Sequence, residues 1–252
     1  MTKKLMAANW KMFKTRSEAE KTAQTLLSKI EGKVPADREV LIAAPFTALS
    51  SVDSVLGSQD WFHLSGENMY PAKEGAFTGE ISADMLKDCG CGFCLAGHSE
   101  RRHIMGESDE FVGEKVTFGL ANDLSMILCV GETIEERKAG NVQQVIDTQL
   151  EKGLAGVEAD IVPDRIVIAY EPVWAIGTGE VAGPEEIKEA HLFVRKKLEN
   201  IFPDKFNDIK ILYGGSVKPG NCAEIIALDN VDGVLVGGAS LDGESFSQIV
   251  LA

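Results

Sequence analysis

Eight short apolar, β-prone runs recur along the chain: Leu5–Asn9, Val40–Ala44, Phe62–Gly66, Phe93–Gly97, Met126–Gly131, Arg165–Tyr170, Ile209–Tyr213 and Gly233–Val236. Each is too short for a buried helix and is bounded by Gly, Pro, Asn or charge. Several, such as Met126-Ile127-Leu128-Cys129-Val130, are apolar at every position rather than at alternate ones. That pattern predicts parallel strands covered on both faces. Helical spacing fills the intervals. Ser17–Ile30 opens with a Ser17/Glu20 capping-box spacing and continues with an apolar stripe of Ala23, Leu26, Leu27 and Ile30. Pro184–Phe202 has Pro in its first turn, followed by Glu185 and Glu186, which suit the positive end of a helix dipole. Further helices are predicted at Thr47–Leu56, Ser82–Lys87, Asp109–Asn122, Val142–Leu154, near Asn221–Leu228 and at the C-terminus.

Eight strands alternating with helices in 252 residues predict an α/β fold, a single-domain (β/α)8 barrel over residues 1–252. A doubly wound open sheet is the main rival. At 44% hydrophobic residues the chain can fill such a core. It has neither an apolar run of the roughly 18 residues that a membrane span needs nor the cleavable leader of an exported protein, so a cytoplasmic location is expected.

Charge narrows the ligand. A net charge of −14 with no basic tract speaks against nucleic acid and anionic membrane as partners. A phosphorylated substrate would need a locally positive site. The five cysteines, Cys89, Cys91, Cys94, Cys129 and Cys222, are an odd number and do not read as a disulfide framework. The Cys89-Gly90-Cys91-Gly92-Phe93-Cys94 cluster lacks the second ligand pair of a zinc site, and Cys94 sits in a strand pattern as a small hydrophobe.

The site of a barrel forms where strands end and the following loops begin. Asn9 and Lys11 follow the first run, and His98 the fourth. Glu171 follows the sixth, Gly214-Gly215-Ser216 the seventh and Gly237-Gly238 the eighth. Two glycine loops after the last two strands suit an anion, because backbone N–H groups approach it unobstructed. A carboxylate at the end of an apolar strand is expected to be desolvated, with a raised pKa, and so usable as a base. His98 before a helix start is expected to be neutral. The stiff and small residues of Pro172–Gly179 suit a lid. Together these groups suit proton abstraction beside a carbonyl, with no cofactor motif present.

Six blocks, in order, resemble the triosephosphate isomerase family. They are Ala8–Met12, Gly75–Glu80, Gly97–Arg102, Ala169–Gly179, Tyr213–Ser216 and Val236–Ala239. The resemblance implies isomerisation of dihydroxyacetone phosphate and D-glyceraldehyde 3-phosphate, without a cofactor or metal. Glu171 would be the base. His98 would be the neutral electrophile, with Lys11 and Asn9 beside it as electrostatic partner and substrate contact. Gly177, Ser216, Gly237 and Gly238 would contact the phosphate. Glu132 would hold Trp174, and the Gly75–Glu80 loop would reach into a second subunit of a homodimer. The chain departs from the common family pattern at Phe13-Lys14, Met105 and Glu180. Two other readings remain: a phosphate-binding barrel that uses a Schiff-base lysine, as aldolases do, and a non-enzymatic scaffold that senses thiols through Cys89, Cys91 and Cys94.

Overall fold

The computed structural model describes residues 3–160, 165–176 and 182–252. The strands are β1 (Lys4–Asn9), β2 (Arg38–Ala44), β3 (Phe62–Gly66), β4 (Phe93–Ala96), β5 (Ser125–Val130), β6 (Ile166–Tyr170), β7 (Lys210–Tyr213) and β8 (Gly233–Val236). They pair in parallel in chain order, and β8 returns to β1, with Leu5 opposite Gly233, to close the barrel. The helices described are α1 (Arg16–Ile30), α2 (Leu49–Leu56), α3 (Ala83–Asp88), α4 (Ser99–His103), α5 (Asp109–Ala121), α6 (Ile134–Lys138), α7 (Val142–Gly153), α8 (Pro184–Ile201), α9 (Pro219–Ile226) and α10 (Gly243–Val250). The fold is the expected (β/α)8 barrel rather than an open sheet.

Side chains on a strand alternate between faces, and closure gives those faces different surroundings. Leu5 and Ala7, Leu41 and Ala43, Val167 and Ala169, with Leu95, Ile127, Cys129, Leu212 and Leu235, make one buried cluster, the barrel interior. Residues of the other parity, among them Met6, Ala8, Val40, Ile42, Ile166 and Ile168, join the helices in a second cluster. Both faces are therefore dry, which is why the runs are apolar throughout. Each fully buried Leu or Ile contributes about 1.5–3 kcal/mol relative to exposure.

Helix starts shift slightly from the sequence pattern. The box of α1 uses Thr15 and Glu18, with Thr15 N–H donating to Glu18 Oε2 at 2.7 Å, rather than Ser17 and Glu20. Both pairs have the same spacing, but Thr15 is extended and lies outside the helix, whereas Ser17 falls in the first turn. A 3₁₀ turn, Phe46–Ala48, precedes α2. The short helix α6 was not among the expected helices, although Thr133 and Glu136 box its start, with Thr133 N–H donating to Glu136 Oε2 at 2.8 Å.

Gly131, just past β5, packs against the backbone just past β6. Its N–H donates to Gln149 Oε1 at 2.8 Å, and a Cβ placed there would lie 1.8 Å from the Glu171 carbonyl oxygen. Gly131→Ala should cost about 3 kcal/mol of stability through this overlap. The loss would be read as a lower urea midpoint with unchanged m.

Candidate active site

The inward parity that fills the barrel continues one step past the hydrophobes. Asn9 follows Leu5 and Ala7, and Glu171 follows Val167 and Ala169. Gly214 stands two residues beyond Leu212, and Gly237 two beyond Leu235. This top layer floors a cleft of about 460 Å³, whose walls include Lys11, His98, Glu100, Ser216 and Gly238. The structure therefore brings Asn9, Lys11, His98, Glu171, Ser216, Gly237 and Gly238 to one cleft. Gly177 lies outside the described residues, as do Thr178 and Gly179 of the expected lid and Glu180.

Glu171 is 2% exposed. Its Oε1 lies 2.9 Å from His98 Nε2, and its Oε2 accepts the Ser99 N–H at 2.9 Å. Gly214 leaves room for the carboxylate, since a Cβ there would come within 3.0 Å of Glu171 Cγ. The expected rise in pKa is not what this geometry gives. Burial does push the carboxyl up, but His98, the Ser99 amide and Lys11 outweigh it and hold it below its ordinary value. Sequence shows the apolar strand and hides these partners, which arrive from β1 and β4.

His98 caps α4 and is 5% exposed. Glu100 N–H points at its Nδ1 at 3.3 Å, which leaves Nε2 as the proton-bearing nitrogen of the neutral ring, facing Glu171. Burial pushes the imidazole pKa down, as does Lys11. The charge and hydrogen bond of Glu171 outweigh both and raise it. Neutrality, expected from the helix end alone, is thus opposed by the paired carboxylate. Arg102 fixes this loop from behind: its Nε donates to Gly97 O at 2.7 Å, and one terminal nitrogen donates to Cys129 O at 3.1 Å.

Lys11 takes a left-handed backbone, φ 54°, and its N–H donates to Asn9 Oδ1 at 3.0 Å. Its ammonium is 2.7 Å from Glu100 Oε1. Ser99 and Glu100 are therefore part of the site, beyond the His98 that the sequence predicts in that segment. The surrounding Ser-Glu-Arg-Arg run reads as a solvated helix face, and the signal that they matter was their place beside His98. An ion-paired Lys11 is poorly suited to be the neutral amine that Schiff-base chemistry requires.

Glu132 is fully buried. It accepts from Trp174 Nε1 at 2.8 Å, Tyr170 Oη at 3.1 Å and an Arg137 terminal nitrogen at 3.1 Å. The contact that the resemblance implied between Glu132 and Trp174 is thus present. His63 faces Glu39 at 3.9 Å, and buried His191 bonds Asn230 O through Nδ1 at 2.8 Å, its pKa pushed down by burial to about 4. His103 is exposed. Cys91 and Cys94 are buried, and burial pushes the Cys94 thiol up to about 12, which disfavours the thiolate that a sensor needs. Among the described residues no group of three or more His, Cys, Asp or Glu is arranged to hold a metal ion.

Comparison with known proteins supplies the lineage. The family model for triosephosphate isomerase matches residues 4–252. The triosephosphate isomerase of Nitratidesulfovibrio vulgaris (strain DSM 19637 / Miyazaki F) is 59% identical over 250 residues, covering 99% of this chain and 100% of its own. That of Aquifex aeolicus is 48% identical over 248 residues, 98% of each chain. The crystal structure of triosephosphate isomerase from Bartonella henselae superposes with a TM-score of 0.88 at 38% identity, covering 98% of this chain and 97% of that one. A barrel whose cleft gathers the family's motif residues, with relatives this similar along its whole length, belongs to the triosephosphate isomerase family.

Proposed function

We propose that this cleft interconverts dihydroxyacetone phosphate and D-glyceraldehyde 3-phosphate by moving one proton between adjacent carbons, with Glu171 as the base. The protein is an isomerase of its family's type, and it works without net oxidation. The observation that carries the assignment of roles is the Glu171–His98 pair, 2.9 Å apart and nearly fully buried, facing the cleft.

The Glu171 carboxylate takes the proton from C1 of the ketose. The electron pair of the broken C–H bond moves into a C1–C2 double bond, and the carbonyl oxygen becomes an oxyanion. His98 Nε2–H and the Lys11 ammonium stabilise that oxygen, with Asn9 beside them. His98 Nε2–H gives its proton to the C2 oxygen and takes the C1 hydroxyl proton in exchange, so the C1 oxygen becomes the new carbonyl as Glu171 returns its proton to C2. This gives the aldose, and the reverse reaction runs the same steps backward. Glu171 cannot serve substrate and His98 equally well, so engaging the substrate loosens the pair. Turning that carboxylate to the substrate removes the strongest influence raising the imidazole pKa, while burial and Lys11 still lower it and Glu100 still raises it; the proposed mechanism uses His98 as the neutral donor. The backbone of Ser216, Gly237 and Gly238 supports phosphate binding through unobstructed N–H groups. Gly177 is assigned to the same task on its match to the family motif.

The protein works as a homodimer in the cytoplasm. Exposed apolar side chains support the dimer: Phe77 of the Gly75–Glu80 loop is 41% exposed, Ile104 78% and Met105 62%. Five free cysteines suit a reducing compartment, and no helix among the described residues is long and apolar enough to cross a membrane.

In a coupled assay with glyceraldehyde 3-phosphate the protein should be highly active. Glu171→Asp should lower kcat by about 10²-fold with little change in KM, because the shorter side chain withdraws the base by roughly 1 Å. Unchanged turnover would exclude Glu171 as the base. In Glu171→Gln the His98 imidazole should titrate at lower pH than in the parent, since its raising partner is gone. Ring-proton NMR across pH 4–9 would show this, and an unmoved titration would contradict the coupling. Phe77→Asp should shift sedimentation from dimer toward monomer with the far-UV circular dichroism retained.

A further inference from the structure

A chain of net charge −14 does not attract a phosphate dianion at long range, so capture depends on charges at the cleft. The ionisable residues lining it are Lys11, Lys218, Glu100 and Glu171, with His98. Two lysines and two glutamates cancel. Lys11 holds Glu100 at 2.7 Å, and this ion pair is already closed before any ligand arrives. Glu171 is engaged by His98 and the Ser99 amide.

Lys218 differs from Lys11. It is exposed on the rim, two residues past Ser216, at the start of α9. Its ammonium makes no hydrogen bond or ion pair among the described residues, while its backbone is held in place. Its N–H donates to Asn221 Oδ1 at 2.7 Å, and Asn221 Nδ2 donates to Ser216 O at 3.1 Å. One amide side chain thus fixes the Lys218 turn and the Ser216 backbone together, so the lysine is anchored at the cleft rim beside the loop proposed for phosphate.

We propose that Lys218 is the capture cation of this enzyme: an unpaired charge on the cleft rim that draws the substrate's phosphate dianion toward the Ser216 and Gly237-Gly238 loops without taking part in proton transfer. The proposal rests on the isomerase reading above for the identity of the dianion. Lys218 acts by field over several ångströms, so its contribution belongs in substrate capture and must be sensitive to salt. A residue that only stabilised the α9 turn would have neither signature.

The test is steady-state kinetics of Lys218→Met, Lys218→Glu and Lys218→Arg with glyceraldehyde 3-phosphate at low and high ionic strength. At about 10 mM, where charges are felt over roughly 30 Å, Lys218→Met should lower kcat/KM about 3- to 10-fold with kcat little changed. Lys218→Glu should lose more, and Lys218→Arg should retain parent values. At about 0.3 M the deficit of Lys218→Met should shrink to within about twofold. Parent-like kcat/KM at low salt, a deficit indifferent to salt, or a parallel fall in kcat would each overturn the proposal. Inorganic phosphate, titrated while the Ser216 and Gly238 amide signals are followed by NMR, separates the two claims. Phosphate binding weakened in Lys218→Met, in a chain that does not isomerise the triose, would defeat the isomerase reading alone. Equal phosphate affinity in parent and variant at low salt would defeat the role of Lys218.

Discussion

The site depends on a constraint of space inside the barrel. Inward-facing side chains fill the interior up to a last hydrophobic level, and above it the layer thins to Gly131, Gly214 and Gly237. Only there can the buried Glu171 carboxylate turn toward the cleft. A methyl at Gly214 would press on Glu171 Cγ at 3.0 Å, and one at Gly131 would overlap the Glu171 carbonyl. One at Gly237 would sit 3.5 Å from Lys11 Cε. The glycines therefore act as the volume in which other residues work. Their lost backbone entropy is offset by the packed levels beneath them.

Within that volume the charged groups set one another's state. Glu171 raises the pKa of His98, and His98 lowers that of Glu171. Lys11 lowers both, and Glu100, in the first turn of α4, pairs with Lys11 and raises the pKa of His98. Buried ionisable groups are costly unless paired, so each is stabilised in the free protein by a neighbour that a substrate would have to displace or share. In the proposed mechanism that competition would link binding to the readiness of Glu171 and His98. It also explains why a strand-end carboxylate in an apolar setting has a lowered rather than a raised pKa.

The barrel was legible in the chain because its physics is local. Eight apolar runs and the helical stripes between them reflect two dry faces on each strand, and the strand bounds move by no more than two residues at either end. Glu171, His98 and the glycine loops were legible as positions, since a strand end is a local feature. Their interactions were not. Ser99 N–H reaches Glu171 across 72 residues of sequence, and Glu100 meets Lys11 across 89. Such partners follow from closing the sheet, which no window of sequence contains. The Thr15 cap was misplaced for a smaller reason: two pairs of the same spacing lie two residues apart, and only backbone conformation chooses between them.

Lys11 shows how the rim trades stability for charge placement. A left-handed backbone costs a non-glycine residue about 1–2 kcal/mol, and glycine at this position would relieve it. Glycine would also remove the ammonium that meets Glu100 and faces the cleft. The strain is partly offset where Asn9 Oδ1 accepts the Lys11 N–H, so Asn9 steadies the turn from which the lysine reaches inward. The aliphatic stem passes Gly237 with ordinary clearance, since even a Cβ there would lie 3.5 Å from Lys11 Cε. The strained backbone and the charge held at the cleft are local costs, which the Asn9 amide reduces. The barrel below can absorb them because its own levels, from Leu5 and Ala7 to Leu235, are fully packed without them.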